Sequence, residues 1–293
     1  MKLDESPRSD NVEDARGSSG SGIRGSHIGI GTIVVVIIGY FMGVSPSTLL
    51  SLLSGGGDPQ AVNAPAPAAV TSTSADAKDP QVDFVRAILG ETEAVWSAYF
   101  KSAGKTYTPP KLVLFSGQVR SACGFASAAS GPFYCPGDTR VYIDLSFYRQ
   151  LATDFGAPGD FARAYVIAHE VGHHVQNLLG ITDKADNAEQ RAGGRTGANH
   201  VSVEVELQAD CYAGVWAAQA NNARKILQPG DLEQGLKAAS AVGDDTLQRR
   251  EQGTVVPDSF THGSAAQRVK WFRRGFDTGK IDNCDTFSAG AAL

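Results

Sequence analysis

The chain has 293 residues, with 26 Lys and Arg against 31 Asp and Glu and a formal net charge of -5. It therefore has no general electrostatic attraction for nucleic acid, which is excluded as a partner class. Hydrophobic residues make up 42% and charged residues 19%, a balance that supports a packed globular core of one or two domains.

Residues 1–27 are polar and rich in Gly, Ser and charge. They show no apolar periodicity, so a disordered tail is expected. From Ile28 to Val44 there is no charged residue, and the apolar character resumes at Leu49, Leu50, Leu52 and Leu53. A membrane span needs about 20 such residues, so 28–53 is predicted as one transmembrane anchor. A core helix would show a polar face. A signal peptide would have a short leading region and a small-residue cleavage site, which Ser45-Pro46 is not. Lys2, Arg8, Arg16 and Arg24 precede the stretch, whereas residues 45–80 contain only Lys78. The excess of basic residues on the N-terminal flank predicts a tail inside the cell and the remainder outside. Residues 54–80 have the Gly, Ala, Pro, Ser and Thr content of a flexible linker. That leaves 81–293 as a single domain.

Within that domain, helical spacing covers 81–102. Lys111–Phe115 reads as a strand after Pro109-Pro110, residues 121–139 as an irregular loop braced by a disulfide, and Arg140–Leu145 as a second strand. Helices are predicted over about 160–179, 201–223, 231–249 and 264–278, with a loop at 181–198. The expected class is α+β, mostly helical with a small sheet. The four cysteines, Cys123, Cys135, Cys211 and Cys284, all fall in the domain and form no Cys-x-x-Cys motif. An even number in this context points to two disulfides in an oxidising compartment. Of the three pairings available, Cys123 with Cys135 and Cys211 with Cys284 is the one expected.

The chemistry concentrates in His169-Glu170-Val171-Gly172-His173. Histidines four apart on a helix differ by about 40° around the axis and about 6 Å along it, so both can reach one metal ion. Glu170 lies beside them, within reach of a metal-bound water. The flanking Tyr165-Val166-Ile167-Ala168 is apolar, and burying two histidines and a glutamate without partners would cost several kcal/mol. A metal ion removes that cost. An extended H-E-x-x-H-x-x-G-x-x-H motif would need Gly at 176 and His at 179, where this chain has Gln176 and Leu179. The third ligand is instead expected to be Glu206, because Asp210, four residues on, can then orient a ligand histidine through its other ring nitrogen. Glu204 and His200 are the rivals. His174 points about 100° away from the pair and is expected to be a packing or hydrogen-bonding residue. Small Gly172 is expected to allow close packing of a neighbouring element.

His169-Glu170-Val171-Gly172-His173-His174-Val175-Gln176, Glu206–Gly214 and Ser259–Ser264 resemble the bacterial neutral zinc metallopeptidase family of YpfJ-like proteins, and the Glu-x-x-x-Asp arrangement resembles the wider gluzincins. The resemblance extends to Asn11-Val12-Glu13-Asp14, the anchor and Gly131–Pro136. It implies a zincin-like catalytic domain, with the strand near 140–145 as a shelf for an extended peptide. The expected enzyme is a membrane-anchored peptidase holding one Zn2+ per chain through His169, His173 and Glu206. Glu170 would be its general base. His262 is a candidate oxyanion donor or, equally, a residue at a helix entry, since Ser264 can cap the helix that follows. Tyr134 and Tyr212 are weaker donor candidates. The implied partners are a protein or peptide substrate and the lipid bilayer. The implied location is the bacterial inner membrane, single-pass, with the domain on the periplasmic side. The competing reading is a catalytically silent, zinc-stabilised binding or structural module of the cell envelope.

Overall fold

Leu112–Phe115 and Val141–Asp144 are buried at every position, as expected of strands covered on both faces. They belong to β3 (Lys111–Phe115) and β7 (Arg140–Asp144), which pair in parallel at the centre of the sheet of a computed structural model. The structure describes residues 1–17, 73–74 and 78–288. The anchor expected at 28–53 and most of the linker lie outside the described residues. Among the described residues, no helix is long and apolar enough to cross a membrane.

The sheet has the order β2-β1-β3-β7-β6, with β1 at Val12–Asp14, β2 at Thr73–Ser74 and β6 at Phe133–Cys135. Two sequence expectations change here. First, residues 1–17 are not a disordered tail. β1 runs parallel to β3 with Val12 opposite Leu112 and Asp14 opposite Leu114. The backbone N–H of Lys2 donates to Ile226 O at 2.8 Å, and Arg8 donates twice to Asp83, each at 2.8 Å. A strand with one apolar residue shows no periodicity. What holds it is non-local, namely the backbone ladder of β3 and the charges of a distant helix. Second, β7 is interior, bonded to β3 on one side and β6 on the other. It offers no free edge as a shelf, and the end strand on that side is β6. A hairpin, β4 (Gln118–Ser121) with β5 (Gly124–Ser127), runs into the stretch 121–139 predicted as an irregular loop.

Helix α1 (Pro80–Ser102) starts where Asp79 caps the N–H of Gln81 at 2.9 Å and Pro80 occupies the first turn. Its Val85, Ile88 and Leu89 join Leu112, Leu114, Val141 and Ile143 of the sheet in one apolar core. α2 (Ser146–Thr153) follows β7. Asp144 initiates it by accepting from Ser146 N at 2.8 Å. α3 (Asp160–Leu178) carries the histidine motif, and α5 (Arg195–Arg224) carries Glu206. Between them, the predicted loop contains α4 (Ile181–Arg191), whose one buried residue is Ala185, too little to leave a helical signature. The stretch predicted as one helix over 231–249 is two, α6 (Asp231–Ala241) and α7 (Asp244–Gln252). α8 (Ala265–Thr278) begins with a reciprocal cap between Ser264 and Gln267.

α8 crosses α5 at very short range. A Cβ at Gly275 would stand 1.9 Å from Cys211 O, and one at Gly214 2.0 Å from Phe272 O. Glycine at both positions lets the two backbones touch. Both disulfides form in the expected pairing. Cys123–Cys135 fastens the β4–β5 turn to β6, and Cys211–Cys284 ties α5 to the C-terminal segment. The second closes a sequence separation of 73 residues. On chain-entropy grounds such a loop is worth about 4 kcal/mol. Cys284→Ser is expected to lower the unfolding free energy by roughly 2–5 kcal/mol in a urea titration. An unchanged midpoint would mean the bridge does not constrain the unfolded chain.

Candidate metal centre

One face of α3 carries His169, His173 and Gln176, at spacings of four and three residues. The facing turn of α5 carries Glu206 and Asp210. The helices approach closely because Gly172 has no side chain: a Cβ there would lie 3.0 Å from Ala209 O and 3.2 Å from Ala209 Cα. The approach brings three donor atoms together. His169 Nε2 is 3.2 Å from His173 Nε2 and 3.1 Å from Glu206 Oε2, and His173 Nε2 is 3.4 Å from Glu206 Oε1. Among the described residues, these three form the His/Cys/Asp/Glu group able to hold a metal ion, with ligand atoms all within 4.8 Å of one another.

The other ring nitrogen of each histidine already has an acceptor. Asp210 Oδ1 lies 2.9 Å from His169 Nδ1, and Gln176 Oε1 lies 2.9 Å from His173 Nδ1. With a proton on each Nδ1, both Nε2 lone pairs face the gap. Gln176 is itself fixed, its amide donating to Val205 O at 2.8 Å and to Gln208 Oε1 at 3.0 Å. Two imidazoles and a carboxylate, oriented from behind in this way, fit a zinc ion.

Asp210 is fully buried and rests in a network that sequence reasoning missed. Arg268 of α8 donates to it through Nε at 2.8 Å and Nη2 at 3.1 Å, and Tyr165 donates its hydroxyl to the same carboxylate. Arg268 was nonetheless visible as an anomaly. Residues 268, 271, 272 and 275 make one helical face, and Trp271, Phe272 and Gly275 on it are buried. An arginine on such a face requires a buried partner.

The charges are set for a cation. Burial opposes protonation of His169, yet Asp210 and Glu206 raise its pKa to about 10. Burial alone would raise the pKa of Glu206, but His173, His262 and the hydrogen bond to His169 hold it well below the ordinary carboxylate range. Glu170 is 8% exposed; burial pushes its carboxyl up, and the neighbouring His169 and His173 offset part of that rise.

His262 precedes the α8 cap by two residues, so the helix-entry position and proximity to the site occur together. Its Nδ1 lies 3.2 Å from Asp244 Oδ1, while Asp244 Oδ2 accepts the backbone N–H groups of Thr261, His262 and Gly263 at 2.8, 2.7 and 3.1 Å. The His262 side chain is 51% exposed; the desolvation it does undergo works against the charged ring, but Glu206 and Asp244 together raise its pKa. Asp244 left no sequence signal, because it lies on α7 and caps a loop 17 to 19 residues downstream.

The remaining candidates lie elsewhere. His200 is 62% exposed and pairs with Glu204 at 3.6 Å, so the two rivals to Glu206 face each other at the surface. His174 is 1% exposed; its Nε2 donates to Thr108 O at 2.7 Å and its Nδ1 accepts from Tyr134 OH at 3.1 Å, the hydrogen-bonding role expected of it. That bond and one from Asn177 Nδ2 at 2.9 Å engage the Tyr134 hydroxyl. Tyr212 is 3% exposed within the core.

Relatives match most of this chain. Over 284 residues it is 46% identical to "Uncharacterized protein YpfJ" of Escherichia coli (strain K12), covering 95% of this chain and 96% of that protein. Over 227 residues it is 46% identical to "Uncharacterized protein Rv2575" of Mycobacterium tuberculosis (strain ATCC 25618 / H37Rv), covering 74% of each chain. The match to "Uncharacterized protein Mb2605" of Mycobacterium bovis has the same identity and extent. No solved structure matches. The family model described as "Putative neutral zinc metallopeptidase" matches residues 1–287, and the chain belongs to that family.

Proposed function

We propose that the protein is a zinc-dependent peptidase with a zincin-like domain, held at the bacterial cytoplasmic membrane through residues 28–53 with its site on the extracytoplasmic side. The observation that carries this reading is the convergence of His169 Nε2, His173 Nε2 and the Glu206 carboxylate, with both Nδ1 atoms engaged from behind. The two disulfides in the same domain support an oxidising location.

His169, His173 and Glu206 would hold one zinc ion. Once bound, it would supply Lewis acidity and a water acidic enough to ionise near neutral pH. Glu170 takes a proton from the attacking water onto its carboxylate and delivers it to the leaving amine nitrogen. Its buried position raises its basicity, and the two imidazoles beside it offset part of that rise. Asp210 and Gln176 keep the ligand rings from turning. His262, oriented by Asp244, offers its Nε2–H to the carbonyl oxygen as charge develops there. The substrate backbone is extended along β6, the end strand of the sheet. β6 is tied to the motif helix through Tyr134, which bonds His174 and Asn177.

The test is a mass-spectrometric survey of peptide cleavage by the full chain supplied with zinc. Cleavage that stops on chelation and returns with stoichiometric zinc is the expected result. A zinc-loaded, folded chain that cuts no member of an unbiased peptide mixture would contradict the peptidase reading.

A further inference from the structure

The N-terminal segment bears on how the chain meets the membrane. Residues 1–17 are built into the same domain as the metal centre. Besides the β1–β3 ladder, Arg86 Nε donates to Ser9 O at 2.9 Å, and Glu93 accepts from Ser9 Oγ at 2.6 Å and Asn11 Nδ2 at 2.9 Å. Gly90 of α1 is packed so closely that a Cβ would stand 2.3 Å from Pro7 O. The chain then leaves at Gly17 and returns beside its point of departure. Asp14 of β1 pairs with Thr73 of β2, and Arg16 Nη1 meets Asp79 Oδ2 at 2.9 Å, directly before α1.

From this we infer that residues 1–17 and the metal centre lie on the same side of the membrane, so that the chain makes no net crossing between Gly17 and Lys78. A hydrocarbon core about 30 Å thick cannot separate two segments joined by a hydrogen-bonded ladder and an ion pair. A return crossing would need a second apolar stretch of about 20 residues, and residues 28–53 hold enough for one. The charge rule that predicted a cytoplasmic tail counted Arg8 and Arg16. Here Arg8 is bonded to Asp83, and Arg16 to Asp14 and Asp79, so both charges serve the fold. It is an alternative to the single-pass arrangement expected from the sequence and does not depend on the peptidase reading.

All four cysteines are in disulfides, so an introduced thiol reports alone. Glu5→Cys places one on an exposed tail position and Lys101→Cys one on an exposed position of α1. Spheroplasts expressing each full-length variant are treated with a membrane-impermeant maleimide before and after lysis. The two positions are expected to behave alike, with equal fractions labelled before lysis. Labelling of one before lysis and of the other only afterwards would overturn the inference. Ser9→Cys tests the docking itself. Ser9 is 3% exposed, and a thiol there is expected to stay unreactive after lysis until the chain is unfolded. Rapid labelling in the folded protein would also overturn the inference.

Discussion

Arg268→Ala is expected to destabilise the protein by about 3–5 kcal/mol, a large share of the 5–15 kcal/mol that holds a typical domain folded. Both partners of this ion pair are withdrawn from water, with side-chain exposures of 4% for Arg268 and 0% for Asp210. Removing the guanidinium leaves a buried carboxylate with Tyr165 and His169 as its remaining hydrogen-bond partners. The stranded charge, more than the lost attraction, sets the size of the effect. Arg268→Lys keeps a charge but cannot reproduce the two-pronged contact, so an intermediate loss is expected. Urea unfolding of the three proteins measures the series. A loss below about 1 kcal/mol for Arg268→Ala would show that Asp210 is already satisfied without it. Because Asp210 also orients His169, the alanine variant is further expected to bind zinc roughly 10–100-fold more weakly.

Glu170→Gln is expected to retain zinc and fold while lowering peptide turnover by roughly 100–10,000-fold. The substitution preserves size and hydrogen-bonding shape but removes the group that carries the proton. It also relieves a buried carboxyl whose ionisation is opposed by desolvation, so stability should hold or rise slightly. Zinc content and cleavage rate, measured on one preparation, separate the outcomes. Undiminished turnover would exclude Glu170 as the base. If wild type and variant both bind zinc and neither cleaves peptide, the zinc-stabilised binding module becomes the better description.

What the sequence made legible follows from how local each signal is. α3 and α5 are long helices, and the four-residue spacing of His169 with His173 and of Glu206 with Asp210 puts each pair on one helical face, which the structure brings together. The role of Gly172 was also readable, since a small residue in a motif helix signals a close neighbour. Gln176 shares the histidine face, but its sequence position could not show that its amide spans from His173 to the backbone of Val205. Asp244 and β1 were invisible for a common reason. Each gains its partners from residues far along the chain, Thr261 to Gly263 in one case and Leu112 to Leu114 in the other. The shelf was misplaced because alternation identifies a strand without saying which strands flank it, and β7 is held on both sides.

The most direct test is zinc content by elemental analysis of the full chain, wild type beside Glu206→Ala, each supplied with zinc at neutral pH and then desalted. The full chain is the right material because β1 belongs to the domain. About one zinc per wild-type chain, lost in the variant, is the predicted result. A folded wild type that retains no zinc, or a variant that retains as much as the wild type, would contradict the three-ligand site on which the account rests.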